Sequence, residues 1–244
     1  MPLNFNFFKN VLTLKAFFYD LIFPRECVSC QTEGTWICTK CLSLIKLNNE
    51  LFCIKCDAPT LNGEFCGSCR NNYNLNGVWI AGDYNDKDLS NLIKIFKYKF
   101  AEDLSNELGV ILKKFLINLI NTGKITIDNC LVIPVPLFRS RLVWRGFNQA
   151  EALADKLTEH NFNLIKNFTD LKRIKYSGPQ AKLKKFERIK NVQNSFQWRG
   201  ERLNGKKIIL VDDVVTTGST LNECAKELKK YGAETVWGLV VAKN

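Results

Sequence analysis

Residues 208–220 constrain the fold of this chain more than any other stretch. An apolar run, Lys207-Ile208-Ile209-Leu210-Val211, ends in two adjacent carboxylates, Asp212 and Asp213. After Val214-Val215 a turn of small residues follows, Thr216-Thr217-Gly218-Ser219-Thr220, and then a helical pattern with Leu221, Cys224, Ala225 and Leu228 on one face. A short continuous apolar strand is buried on both faces, which is the setting of a parallel sheet. In open sheets of that kind ligands bind beyond the carboxyl ends of the strands. A small-residue turn at a helix start aims backbone N–H groups and the positive end of the helix dipole at an anion. Gly218 permits close approach, and the hydroxyls of Thr216, Thr217, Ser219 and Thr220 add donors. The loop therefore predicts a site for one phosphate group. Asp212 and Asp213 would repel a bare polyphosphate, so they call for hydroxyls or a metal. A ribose 5-phosphate meets both demands, with its phosphate in the loop and its 2′- and 3′-hydroxyls on the acids.

A nucleotide-hydrolase reading of the same region fails. Gly200 to Lys207 reads Gly-x-x-x-x-Gly-Lys-Lys, and Val211-Asp212-Asp213 imitates a metal-binding strand end. Lys207 stands where a Ser or Thr would hold the metal. The segment also precedes a strand, whereas a phosphate loop of that class must follow a strand and open a helix.

From Gly77 onward strand and helix signals alternate. Short strands are predicted at Val78–Ala81, Cys130–Pro134, Lys207–Val211 and Thr235–Val241. Helices are predicted over Leu89–Phe100, Leu104–Ile120, Gln149–Leu157 and Ser219–Tyr231. This alternation indicates an α/β domain over residues 75–244, a mostly parallel sheet with helices on both faces. The Asn-rich stretch Asn71-Asn72-Tyr73-Asn74 reads as a linker before it.

Residues 25–72 have a different character. Of ten cysteines, eight fall in four Cys-x-x-Cys pairs: Cys27/Cys30, Cys38/Cys41, Cys53/Cys56 and Cys66/Cys69. Two such pairs supply one tetrahedral ion, so eight ligands predict two structural zinc sites of four thiolates each. A redox-active motif needs one pair, and a disulfide framework needs an oxidising compartment for which no export signal is present. Sequential pairing, a double zinc ribbon, and an interleaved cross-brace both fit the spacing. Cys130 and Cys224 sit alone among apolar residues and read as core.

Within residues 1–24, Phe7, Val11, Leu14, Phe18 and Leu21 form a helical stripe. A helix docked on the protein and one that binds a membrane surface or a partner both fit it. Lys15 and Asp20 interrupt the apolar stretch, which fits neither a signal peptide nor a membrane span, so a cytoplasmic protein is expected. The net charge of +11 over 244 residues favours anionic partners. It is concentrated between Arg139 and Lys190, where 13 Lys/Arg face 5 Asp/Glu. A solvated face and an electrostatic funnel for phosphates both account for that block. Trp144, Phe147 and Trp198 are aromatics on which bases of single-stranded DNA would stack. His160, the one histidine, has no evident role.

Two further segments carry a resemblance. Ile133-Pro134-Val135-Pro136 leads to Arg139, Arg141 and Arg145-Gly146-Phe147-Asn148-Gln149-Ala150, and Arg173 precedes Gln180, Leu183, Arg188, Asn191 and Phe196. With the phosphate loop and the cysteine pairs, this resembles the ComF family, competence protein F and its relatives, over about residues 9–243. The resemblance implies a type I phosphoribosyltransferase fold behind a cysteine-rich module. It implies phosphoribosyl pyrophosphate with Mg²⁺ as ligand, Asp212 and Asp213 on the ribose, and Thr216, Thr217, Gly218, Ser219 and Thr220 on the 5-phosphate. Arg139, Arg141 and Arg145 are then candidates for the pyrophosphate, since a guanidinium fork pairs two oxygens. Gln180, Arg188 and Asn191 would lie on the flexible loop of that fold. Two functions are compatible with it. One is phosphoribosyl transfer to an unidentified acceptor, with a role in DNA uptake. The other is a non-catalytic adaptor that handles single-stranded DNA with competence proteins and retains the ligand site.

Overall fold

The computed structural model describes residues 25–99, 101–159, 162–176 and 192–244. The helix expected over residues 1–24, His160, and the candidates Gln180, Arg188 and Asn191 lie outside the described residues. The chain divides into two compact units, Met1–Ile45 and Lys46–Asn244.

In the first unit Cys27 and Cys30 close a tight turn, with the Cys27 N–H donating to Thr32 O at 2.8 Å. Cys38 caps the short helix α1, Thr39–Leu44, which carries Cys41. The Cys27, Cys30, Cys38 and Cys41 sulfurs all lie within 4.8 Å of one another, as do those of Cys53, Cys56, Cys66 and Cys69. The pairing is therefore sequential. Thiolates around tetrahedral zinc at about 2.3 Å stand about 3.8 Å apart. Cys30 and Cys38 are 3.7 Å apart and Cys56 and Cys66 are 3.5 Å apart, so both sets fit zinc. Hydroxyls of Thr32 and Ser68 lie in position to donate to Cys30 and Cys66, and with their neighbours hold each of those thiols down at about 6.

The second unit opens with a small hairpin, β1 (Leu51–Phe52) against β2 (Pro59–Thr60), which carries Cys53 and Cys56. The chain then enters β3, Gly77–Asp83. It continues through α2 (Lys87–Tyr98), α3 (Ser105–Asn121), β4 (Leu131–Pro134), α4 (Arg139–Arg145) and α5 (Gln149–Thr158). The short strand β5 (Ile165–Lys166) follows, then a hairpin of β6 (Leu171–Arg173) and β7 (Phe196–Trp198). The chain ends in β8 (Lys207–Val215), α6 (Ser219–Lys230) and β9 (Thr235–Lys243). Five strands form one parallel sheet in the order β3-β9-β8-β4-β5. The strand that carries the two aspartates is thus central, with every neighbour parallel, and it runs past them to Val215 where the sequence pattern ends it at Val211.

Period-2 alternation splits the apolar residues between two faces. Val78, Ile80, Leu131, Ile133, Ile208, Leu210, Val236 and Val240 belong to a cluster that includes Leu221, Cys224, Ala225 and Leu228 of α6. Their alternates Val132, Ile209, Val211, Leu239 and Val241 are equally buried, on the side covered by α3 and α5. Cys130 and Cys224 are core, as expected.

Two features differ from the expectations drawn from sequence. Cys53, Ile54 and Phe65 belong to the same cluster as the sheet and α6, so the second cysteine site is packed into the main core. Residues 71–74 are docked: Tyr73 stacks on Phe65 with centroids 4.0 Å apart, and the N–H groups of Asn74 and Leu75 donate to Asn222 Oδ1 at 2.7 and 3.2 Å. Composition marks such a stretch as polar, but polar side chains and backbone also serve as docking groups where a helix start needs partners.

Elemental analysis of purified protein should find two zinc ions per chain. Chelation should lower the unfolding midpoint of the main unit as well, because Cys53, Ile54 and Phe65 lie in its core. Zinc-free protein with an unchanged unfolding transition would contradict both statements.

Candidate functional site

A cavity of about 700 Å³ opens at the carboxyl ends of β4 and β8. Asp212, Asp213, Thr216, Gly218, Ser219 and Thr220 form one side of it. Asp213 is buried and Asp212 half-buried on the cavity floor. The Asp213 N–H donates to Asp212 Oδ1 at 2.9 Å. Burial first, and the Asp213 charge second, push the Asp212 carboxyl up to about 7, against the opposing pull of that N–H, Lys97 and Arg173.

The loop after β8 leads directly into α6. Gly218 adopts φ +73°, the left-handed region, and serves as N-cap of α6 without a side-chain cap. Thr217 Oγ1 accepts from the Ser219 N–H at 3.3 Å and donates to Ser219 Oγ at 3.0 Å. Apart from that Thr217 contact no side chain caps the first turn of α6, and Gly218, Ser219 and Thr220 line the cavity.

The Arg-Gly-Phe-Asn-Gln segment acts as a joint. Gly146 closes α4 in a left-handed cap at φ +78°. Two residues on, Asn148 caps α5, accepting from the Ala150 N–H at 3.2 Å, while its Nδ2 donates to Val135 O at 3.2 Å. That bond ties the helix start to the loop after β4. Buried Gln149 accepts from Arg145 Nη1 at 2.8 Å and donates to Phe96 O at 3.4 Å. Phe96 packs on Phe147 at 5.3 Å between centroids, which anchors the last turn of α2 and places the next residue, Lys97, over the strand end. Lys97 Nζ lies 3.1 Å from Asp213 Oδ1, with both side chains largely buried.

Arg141 and Arg145 line the cavity and Arg139 does not. Arg139 opens α4, so helical geometry turns it away from Arg141 and Arg145, two and six positions later, and the three candidates do not share one face. Burial, with Arg145 adding, draws the Arg141 guanidinium below its usual range. Arg173 also lines the cavity, its guanidinium 5.3 Å from the Phe196 ring centroid. Of the three aromatics read as stacking surfaces, Phe147 and Trp198 are buried, and Trp198 Nε1 donates to Glu201 O at 2.8 Å. Trp144 alone is exposed, edge-on to exposed Tyr98 at 6.2 Å.

Lys97, Tyr98 and Tyr176 join the cavity without having been singled out from sequence. A usable signal existed for Lys97: two adjacent buried acids demand a nearby cation, and α2 is an amphipathic helix whose last turn is basic.

A phosphoribosyl transferase domain model matches residues 144–244, and a double zinc ribbon domain model matches residues 18–70. Competence protein F of Haemophilus influenzae is 31% identical over 234 residues, 90% of this chain and 98% of that one. The DNA utilization protein YhgH of Escherichia coli K12 is 28% identical, covering 88% of this chain and 96% of that one. Competence protein ComFC of Bacillus subtilis is 29% identical over 205 residues, 80% of this chain and 79% of that one. Among solved structures, a Trypanosoma cruzi hypoxanthine phosphoribosyl transferase matches over 61% of this chain and 67% of that one, at 16% identity and a TM-score of 0.35.

An aspartate held at about 7 in the folded chain, against about 3.9 unfolded, takes up a proton on folding between those values. Its charge therefore destabilises the fold increasingly from about pH 4 to about pH 7, and by a constant amount above that. Asp212→Asn should raise the thermal midpoint at pH 8, with the gain shrinking below pH 7 and gone near pH 4. Equal midpoints at pH 8 would show that Asp212 is not desolvated as described.

Proposed function

The chain belongs to the competence protein F family, and on that ground we propose that its cavity binds Mg²⁺–phosphoribosyl pyrophosphate and transfers the phosphoribosyl group to an acceptor. The observation that carries this reading is the pair Asp212–Asp213 on the strand that leads through a small-residue loop into the Gly218-capped start of α6, with cations facing the acids across one cavity. The loop from Thr216 to Thr220 holds the 5-phosphate by N–H groups and hydroxyls. Asp212 and Asp213 accept hydrogen bonds from the ribose hydroxyls. Arg141 and Arg145 face the pyrophosphate.

Oxygen-only donors suit Mg²⁺, a hard cation, and the two carboxylates fit it; bound there, it neutralises charge on the ligand and the leaving pyrophosphate. Lys97 pairs with Asp213 across the cavity floor. The chemistry is substitution at ribose C1: the bond to pyrophosphate breaks as the bond to the acceptor forms. Positive charge that develops on the sugar is stabilised by the carboxylates, and negative charge on the leaving group by Arg141, Arg145 and Arg173.

A role in competence and DNA handling accords with the names of the relatives, competence proteins and DNA utilization proteins. A second reading, an adaptor for single-stranded DNA that retains the ligand site, draws support from exposed Trp144 and Tyr98 beside Arg145 at the cavity mouth. No helix of the described residues is long and apolar enough to cross a membrane, and two clusters of unbridged cysteines suit the reducing cytoplasm.

Replacing Asp212 and Asp213 with Asn removes charge at constant volume. Charge-assisted hydrogen bonds contribute roughly 1.5–3 kcal/mol each, so Mg²⁺–phosphoribosyl pyrophosphate should bind at least about tenfold more weakly in calorimetry. Inorganic phosphate, held by the loop alone, should bind as before or slightly better. Unchanged affinity for the pyrophosphate ligand would refute the site. Transfer itself is tested by pyrophosphate release with a panel of bases, and release with none of them favours the adaptor. Because Asp212 must ionise, wild-type affinity should rise with pH through about 7, and Asp212→Asn should lose that part of the pH dependence.

A further inference from the structure

The phosphate loop rests on the second cysteine site. A carbon placed on Gly218 would stand 3.5 Å from Ile54 Cδ1 and 4.0 Å from Ile54 Cγ2, so the Ile54 side chain fills the space beneath the loop's glycine. Ile54 is buried and lies inside the Cys53-Ile54-Lys55-Cys56 turn, whose form is held by Cys53 N–H to Ala58 O at 2.8 Å and Asp57 N–H to Cys53 O at 2.9 Å. Cys53, Ile54 and Phe65 share one hydrophobic cluster with Val215 and Leu221, the apolar residues on either side of the loop.

Three further ties connect the same parts. Asn222 in the first turn of α6 accepts from the Asn74 and Leu75 N–H groups. Lys243 pairs with Asp57, which follows Cys56, and its ammonium lies 5.1 Å from the Phe52 ring centroid. Next to it, the Asn244 N–H donates to Val215 O at 2.9 Å, at the start of the loop.

Apart from the Thr217–Ser219 hydrogen bonds, a loop of small residues with a glycine at positive φ has little that determines its shape from within. Its geometry is set by what it packs on, here a turn whose two ends are metal-type thiols. Four sulfurs within 4.8 Å of one another suit one tetrahedral cation, which would tie that turn to Cys66 and Cys69 as well.

We propose that metal occupancy of the Cys53/Cys56/Cys66/Cys69 site is thermodynamically linked to phosphate binding at Thr216–Thr220, with Ile54 as the positioning residue that transmits it. The Cys27/Cys30/Cys38/Cys41 site, in the other compact unit, serves folding without that link. The proposal rests on the phosphate-loop reading above and goes beyond it by assigning unequal roles to the two cysteine sites. Linkage is reciprocal: whatever factor zinc adds to phosphate affinity, phosphate adds to zinc retention.

The test uses the full zinc-loaded chain, ribose 5-phosphate as probe, and equilibrium competition with a chromogenic chelator. Ribose 5-phosphate should protect one of the two zinc equivalents by about tenfold, inside the usual 5- to 150-fold range of coupling, and leave the other unprotected. Cys56→Ser should weaken ribose 5-phosphate binding by a similar factor, and Cys30→Ser should not. Ile54→Ala, which leaves all eight sulfurs in place, should keep two zinc ions and lose most of the protection, so the answer does not depend on the cysteine variants folding. Protection of both equivalents or of neither, or full protection in Ile54→Ala, overturns the linkage while leaving the phosphate site standing. Absence of ribose 5-phosphate binding to the wild-type chain overturns the phosphate reading and the linkage with it.

Discussion

Two carboxylates on adjacent residues at the end of a buried strand repel each other and are both costly to desolvate. A sheet that ends in such a pair needs cations and donors brought to it from elsewhere in the chain. Here the Lys97 ammonium balances Asp213 and the Asp213 N–H partly satisfies Asp212. Even so, burial and the neighbouring charge leave Asp212 near 7. The pair is thus held at an electrostatic cost that its partners within the protein only partly offset.

The remainder of the second unit can be understood as the means of delivering those partners. Parallel neighbours on both sides of β8 bury the strand and leave only its carboxyl end open. The joint from Arg145 to Gln149 fixes three directions at once: it ends α4, starts α5, and through Phe147 and Gln149 anchors the end of α2 that carries Lys97. Beneath Gly218, the second cysteine turn supplies Ile54. Metal sites in small modules commonly replace a missing hydrophobic core. In this chain one of them is merged with a large core and underlies the loop of the candidate site.

The parts legible in the sequence are those whose chemistry is contiguous. Strand, acid pair, loop and helix occupy residues 207–230 without a break, so periodicity and turn chemistry suffice to read them. The eight cysteine ligands are equally readable, because Cys-x-x-Cys spacing is a geometric statement about one ion, whereas which pairs share an ion is set only by the fold. Long-range placement is not. Lys97 lies far along the chain from Asp213 and meets it only through the packing of α2. The helical form of residues 139–145 separates Arg139 from Arg141 and Arg145, a distinction that arginine spacing alone does not make. Docking of Asn74 and Leu75 on α6 depends on a tertiary partner, Asn222. Phe147 and Trp198 are claimed by the core, because an aromatic residue reads alike whether buried or exposed.

The decisive assignment is the loop from Thr216 to Thr220 to a ribose 5-phosphate, with Asp212 and Asp213 holding its ring. A crystal structure of the protein with ribose 5-phosphate and Mg²⁺ would decide it. Phosphate oxygens should lie within about 3 Å of the N–H groups at the start of α6, and the 2′- and 3′-hydroxyls within hydrogen-bond reach of Asp212 and Asp213. A sugar phosphate bound at Arg141 and Arg145 with the loop vacant, or Lys97 still paired with Asp213 and no sugar contact to either acid, would contradict it.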